Sequence, residues 1–407
     1  MRVALTAEQR TALRAVWQAF WVTRLLVWVS GSAAVVAFGV AGPAAADFDP
    51  LGATEPYGAV GDLLIAPAAR WDSVWFLAIA DSGYGAENER AAFFPLYPLL
   101  VRVAGTLTGS DLIGAVLLSS AAFLGASYLL HRLTALELGE AAARHTVWVL
   151  ALFPMAFFFS GVYSEALFLL LSVGAVYAAR TGGWAWAGAL GALGAMTRSA
   201  GVLLVLPLVL LYVRERGWRV QRDALWIAVV PLGLAAFGGF LALSGEDPLT
   251  PLQAQEVWLR SFAGPFGGVW DGLAAAWAGA QQLWSGSRTP VVFSVAGGDP
   301  FAVAGHNLKS AAFLIAAVPL LIGVWRRLPL AYGAYVVTAL ALPLSYPVEP
   351  QPLMSLPRFL AVMFPLFMWL GWWLARGGRA RQAVVLAAFG VGLVFFTGQF
   401  ATWHWVA

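Results

Sequence analysis

The chain carries few charged side chains, and four of them stand where chemistry is possible. Asp72 lies in RWDSVWFLAIADSGYG (residues 70–85), Glu165 follows Tyr163-Ser164, Arg198 lies in MTRSAG and Arg358 in SLPRFL. Guanidinium groups hold phosphate oxygens through forked hydrogen bonds. A carboxylate near a bound phosphate can serve as general base for an incoming hydroxyl. One or two carboxylates and two cations at one membrane face therefore suit a lipid phosphate approached by a hydroxyl acceptor. Each residue alone has a plainer reading. Asp72 would be a helix N-terminal charge, favourable by about 0.3–1 kcal/mol, and the arginines would snorkel to the headgroups.

The setting of these charges narrows the choice. The 407 residues are 60% hydrophobic and only 11% charged, with mean hydropathy +0.76, whereas soluble domains carry roughly 25% charged residues. Repeated apolar runs of about twenty residues predict an all-α, polytopic membrane protein. Cysteine is absent, which excludes disulfides, thiolate metal sites and cysteine nucleophiles. Four histidines argue against a histidine-built metal cluster. No metal, cofactor or nucleic-acid partner is expected.

About eleven spans are read at 15–41, 111–131, 146–161, 163–180, 184–198, 200–213, 223–244, 308–325, 330–346, 357–375 and 382–403. With the N-terminus in the cytoplasm, about 15 Lys/Arg and 5 Asp/Glu fall inside, and about 9 and 16 fall outside. That orientation satisfies the positive-inside tendency. Ala44-Ala45-Ala46 after the first run is similar to a signal-peptidase site. The run is about 25 residues, however, longer than a signal core of about 7–15, so the first helix is expected to stay. A single transmembrane domain over 1–407 is expected, with two long outer loops at about 42–110 and 245–307. The site is expected to be extracytoplasmic in a cell-membrane protein.

Residues 71–81 predict a short helix lying in the outer interface. Trp71, Val74, Trp75, Ala78 and Ile79 recur at the spacing of one apolar face. Asp72 would project from its border, Asp81 would lie near the far border, and Gly83 would end the helix before Tyr84. In the second outer loop Trp270, Trp277 and Trp284 are spaced to share one face of a surface helix. Upstream of it, GEDPLTPLQAQEVWLR (residues 245–260) is more polar than anchoring requires.

RWDSVWFLAIADSGYG, AAFFPLYPLLVR, FPMAFFFSGVYSEALFLLLS, AMTRSAGVLLVLPLVL, GEDPLTPLQAQEVW and PRFLAVMFPLF together resemble the PIG-V mannosyltransferases, a family of the GT-C class of integral-membrane glycosyltransferases, over about residues 14–375. The resemblance implies a GT-C-like fold and transfer of mannose from a polyprenyl-phosphate-mannose donor by an inverting, metal-independent displacement. On it, Asp72 of the Trp71-Asp72 pair is the catalytic base. Asp81 and Tyr84 shape its pocket, Glu165 touches the acceptor or braces an arginine, and Arg198 and Arg358 face the donor phosphate. Gln255 and Trp258 hold the sugar by hydrogen bonding and stacking. The acceptor would be a glycolipid, a polysaccharide or a protein, in a site bathed by membrane lipids. From another class, an outer-leaflet lipid transporter or flippase would also use such cations, but should place them near the midplane.

Overall fold

The computed structural model describes residues 6–85, 88–255, 259–286 and 299–407. Among them the backbone is helical, with no strand beyond one isolated bridge between Arg260 and Val348. The all-α, multi-span architecture is borne out. Each of the eleven apolar runs falls on helix. Five helices among the described residues are long and apolar enough to cross a membrane: Ala7–Phe38, Asp111–Leu138, Arg222–Leu243, Pro300–Arg327 and Arg379–Ala401. The other runs form helices of 12 to 16 residues, several extended by short segments such as Ala156–Phe159, Ser199–Leu204 and Leu356–Ala361. At about 1.5 Å per residue these reach roughly 18–24 Å. Length and composition alone pick out five crossings among the described residues, or six with the bent pair Gly58–Ala68 and Ser73–Ser82, and do not test the count of eleven.

Local sequence explains where the long helices begin and end. Thr6 and Gln9 form a reciprocal cap at the start of Ala7–Phe38, and Gly39 stops it at φ 71°. Ser110 caps Asp111–Leu138 through the Ile113 amide. The helix Glu165–Arg180 carries charge only at its two ends and is buried along nearly all its length between them, so it is correspondingly central. Asp111–Leu138 packs on one side of it and Trp184–Thr197 on another.

Small residues set how closely the helices approach. A Cβ at Gly371 would stand 2.2 Å from Thr146 Oγ1, because Phe364–Ala375 lies directly on Glu140–Ala151. The helix Gly267–Ser285 buries Gly268, Gly272, Ala276 and Gly279 and turns Trp270, Trp277 and Trp284 outward together. The shared tryptophan face read from the sequence is thus present, and the glycine face behind it lets the helix seat against Leu353 and Ala304.

Charge is sorted to the two ends of Glu165–Arg180. Arg180 pairs with Glu137 at 2.5 Å and Glu215 at 2.6 Å, and Tyr332 donates to Glu137. Glu165, about 22 Å away along the helix, anchors a second network together with Asp72, Arg198 and Arg358.

Candidate active site

Asp72 is delivered by a sharp corner. The segments Gly58–Ala68 and Ser73–Ser82 meet at 106°, and Arg70, Trp71 and Asp72 make the bend. Arg70 is buried and donates to Ala401 O at 3.0 Å and Thr54 Oγ1 at 3.3 Å. It also pairs with Glu55 at 3.1 Å and lies over the Trp403 ring. Tyr163 donates its hydroxyl to Arg70 O at 2.9 Å. Trp71 adopts φ 57°, a left-handed conformation that costs a bulky residue about 1–3 kcal/mol. Its indole offsets this by packing against Phe48, Trp403 and Trp405 with ring centroids 4.8, 5.4 and 5.1 Å away.

The helix that follows is Ser73–Ser82, ended by Gly83 at φ 74° as the sequence predicts. Its buried face differs from the expected one. Ser73, Phe76, Leu77, Ile79 and Ala80 are buried, while Val74, Trp75 and Ala78 are half-buried. The reason is tertiary: Phe76 packs against Tyr97, Phe93 and Tyr163, which come from elsewhere in the chain.

Asp72 occupies the N-cap position of this helix, yet its side chain makes no capping bond. Instead Oδ2 accepts from Arg358 Nη1 at 2.5 Å, a contact spanning 286 residues of sequence. Asp72 thus stands at a helix N-terminus, as the plainer reading has it, but its carboxylate is directed to a distant arginine and not to its own helix amides. Arg358 Nε lies 3.4 Å from Glu165 Oε1, the oxygen that also accepts from Arg198 Nη1 at 2.5 Å. Glu165 is buried, with its side chain 2% exposed, while those of Asp72, Arg358 and Arg198 are 18, 13 and 18% exposed. A buried carboxylate requires such pairing to stay charged. Glu165 thus holds two guanidinium groups from below, and the upper part of the network remains reachable. Glu165 Oε2 is buried among the described residues with no hydrogen-bond partner.

Aromatic rings line the arginines. The Arg358 guanidinium stands 5.7 Å from the Phe158 centroid, 5.6 Å from Tyr163 and 5.7 Å from Phe359. Arg198 and Arg260 lie 5.6 and 6.0 Å from that same Phe359 ring. Arg260 is the residue that sequence reading missed as a site member. It closes the quoted run GEDPLTPLQAQEVWLR, and nothing local marks it out from any loop arginine. A strap of backbone bonds brings it in: Arg260 bridges Val348, Ser261 N donates to Pro347 O and Ala263 N to Ser345 O. Burial first, and the like charge of Arg358 second, lower the Arg260 pKa to about 10, while Asp72 opposes the shift.

The remaining expected residues are placed as follows. Trp71 packs its indole among Phe48, Trp403 and Trp405, with Nε1 buried and without a hydrogen-bond partner among the described residues. Asp81 is exposed at the far end of Ser73–Ser82, nine residues or about 13 Å along the helix from Asp72, and its carbonyl accepts from Arg102. Tyr84 donates to Phe93 O at 2.7 Å and rests on Phe237 and Phe240. The structure does not bring Asp81 or Tyr84 to the Asp72–Arg358 pair. Gln255 is half-buried and accepts the Arg260 amide through its carbonyl at 3.3 Å, so it borders the strap. Trp258 lies outside the described residues.

Comparison with known proteins finds likenesses over part of the chain. Residues 56–213 match the family model for mannosyltransferase (PIG-V), a segment holding Asp72, Glu165 and Arg198 but neither Arg260 nor Arg358. The PIG-V resemblance read from the sequence is borne out over that segment. The GPI alpha-1,6-mannosyltransferase 2 of Rattus norvegicus is 35% identical over 165 residues, covering 37% of this chain and 33% of the rat protein. The chain thus matches about a third of that relative's length. Among solved structures, the Archaeoglobus fulgidus oligosaccharyltransferase tethered with an acceptor peptide aligns over 94% of this chain and 55% of its own, at TM-score 0.44 and 10% identity. ArnT from Cupriavidus metallidurans bound to undecaprenyl phosphate aligns over 93% and 77%, at TM-score 0.42 and 16% identity.

Proposed function

We propose that this chain is a GT-C-like membrane mannosyltransferase that moves mannose from a polyprenyl-phosphate-mannose donor to a hydroxyl of an extracytoplasmic acceptor. The observation that carries the reading is the destination of the Asp72 carboxylate. It leaves its own helix terminus uncapped and reaches Arg358, within a cluster that also holds Glu165 and Arg198. A helix-end charge has no need of that partner, whereas a general base set beside phosphate-binding arginines does.

The step is a single displacement. Asp72 takes the proton of the acceptor hydroxyl as its oxygen forms a bond to the anomeric carbon. The bond from that carbon to the donor phosphate breaks, and the departing lipid phosphate gains negative charge that the arginines offset. A β-linked donor then yields an α-mannoside. Arg358 links the two halves of the reaction. It holds Asp72 before the donor arrives, and a bound phosphate competes for the same guanidinium, loosening the carboxylate for its task. Glu165 keeps Arg358 and Arg198 in place throughout. The PIG-V match of residues 56–213 supports the mannose assignment.

Asp72→Asn tests the reading. The amide still accepts a hydrogen bond from Arg358, so folding and donor binding should persist, while transfer to membrane acceptors should fall by about 10²–10⁴-fold. The measurement is transfer of labelled mannose from polyprenyl-phosphate-mannose into membranes by the purified chain. Wild-type transfer rates in the variant would remove Asp72 from the chemistry.

A further inference from the structure

The three arginines around Phe359 differ in what they already hold. Arg358 is engaged by Asp72 and approached by Glu165, and Arg198 is bonded to Glu165. Among the described residues Arg260 has no carboxylate partner. It donates one Nη1 bond, to Tyr346 O at 3.1 Å, out of the five N–H groups a guanidinium carries. Among the described residues two carboxylates therefore face three guanidinium groups, and the surplus positive charge resides on a side chain that is half-buried and pinned by the strap of residues 260–263 to residues 345–348. Holding an uncompensated cation in a partly desolvated place is unfavourable unless an anion joins it.

We infer that Arg260 is the primary anchor for the phosphate of a lipid-linked substrate, with Arg358 and Arg198 held by their carboxylates as a supporting wall. The inference rests on the donor reading above and adds a residue from the second outer loop, outside the stretch that the family model matches. Its chemistry is consistent with the charge count. A sugar-bearing phosphodiester carries one negative charge, equal to the surplus on the site. The released lipid phosphate is a monoester that can carry a second charge, and Arg260 has unused donors with which to meet it. A phosphate so held sits beside Arg358, whose charge already reaches Arg260, so binding there also weakens the grip of Arg358 on Asp72.

The test uses the full chain purified in nanodiscs, with an undecaprenyl phosphate probe, the corresponding free polyprenol and inorganic phosphate. In Arg260→Gln, undecaprenyl phosphate affinity should fall about 10- to 100-fold, the loss of one charged hydrogen-bonded contact. Polyprenol affinity should stay unchanged. The KM for polyprenyl-phosphate-mannose should rise in parallel and kcat should fall as well, because Arg260 also meets the charge that the departing phosphate gains. Arg260→Lys should restore most of the affinity by restoring charge, and millimolar inorganic phosphate should not displace the lipid from the wild type. Wild-type affinity for undecaprenyl phosphate in Arg260→Gln would overturn the assignment while leaving the donor reading intact. Equal loss of polyprenol binding, without rescue by lysine, would reduce Arg260 to a structural part. Displacement by inorganic phosphate would make the site one for free anions. A wild type that binds undecaprenyl phosphate no better than polyprenol would instead sink the donor reading itself.

Discussion

Asp72 and Glu165 are two carboxylates on one arginine network, and their surroundings assign them different work. Glu165 is buried beneath Arg198 and Arg358, whereas Asp72 meets Arg358 at the accessible edge. Removing the charge of Glu165 strands Arg198 and takes one of two carboxylates from Arg358, which keeps Asp72, and breaking a buried pair from one side costs about 3–5 kcal/mol. Glu165→Gln should therefore lower the thermal unfolding midpoint in detergent as well as transfer. Asp72→Asn should lower transfer with little change in the midpoint. Equal thermal loss in both variants, read by scanning fluorimetry, would contradict this division. Arg358→Ala should leave the protein extractable and folded but raise the KM for the donor, and an unchanged KM would locate the phosphate elsewhere. Types and rough positions of these residues are readable in the sequence because charges are rare in so apolar a chain. Arg260 was not, since its importance comes from a bridge to Val348 far along the chain.

At the scale of elements, the site depends on a corner and on close-packed helices. Residues 71–81 read as a helix from their spacing, and a helix with its Gly83 stop is there over Ser73–Ser82, with Trp71 and Asp72 in the turn before it. Its buried face was not, because the partners Phe93, Tyr97 and Tyr163 are brought in by other segments. Helix approach supplies a further prediction. Gly371→Leu must push Phe364–Ala375 off Thr146, at a cost of about 1–3 kcal/mol. Gly239→Ala, where nothing lies within 4 Å of the added carbon, should be neutral or stabilising by up to about 1 kcal/mol. Thermal inactivation of the two variants should separate them, and equal half-lives would contradict the packing described.

For the whole molecule, two charge networks stand at opposite ends of Glu165–Arg180, and the positive-inside reading of the sequence predicts that the Arg180 end faces the cytoplasm. The natural absence of cysteine makes this directly testable. A single cysteine at Leu51, 94% exposed near the Asp72 corner, should react with an impermeant thiol reagent from outside intact cells. One at Trp218, 89% exposed at the Arg180 end, should react only after the cells are opened. Labelling of both from the same side would overturn the orientation. The sequence by itself determined the solvent, the helical class and the short inventory of usable charges, because these follow from composition and periodicity, which are local properties. Only the tertiary structure decided that Asp72 meets Arg358, that Glu165 holds two arginines and that Arg260 joins them. Those contacts join residues dozens to hundreds of positions apart, and no local energy term selects one distant partner over another before the helices have packed.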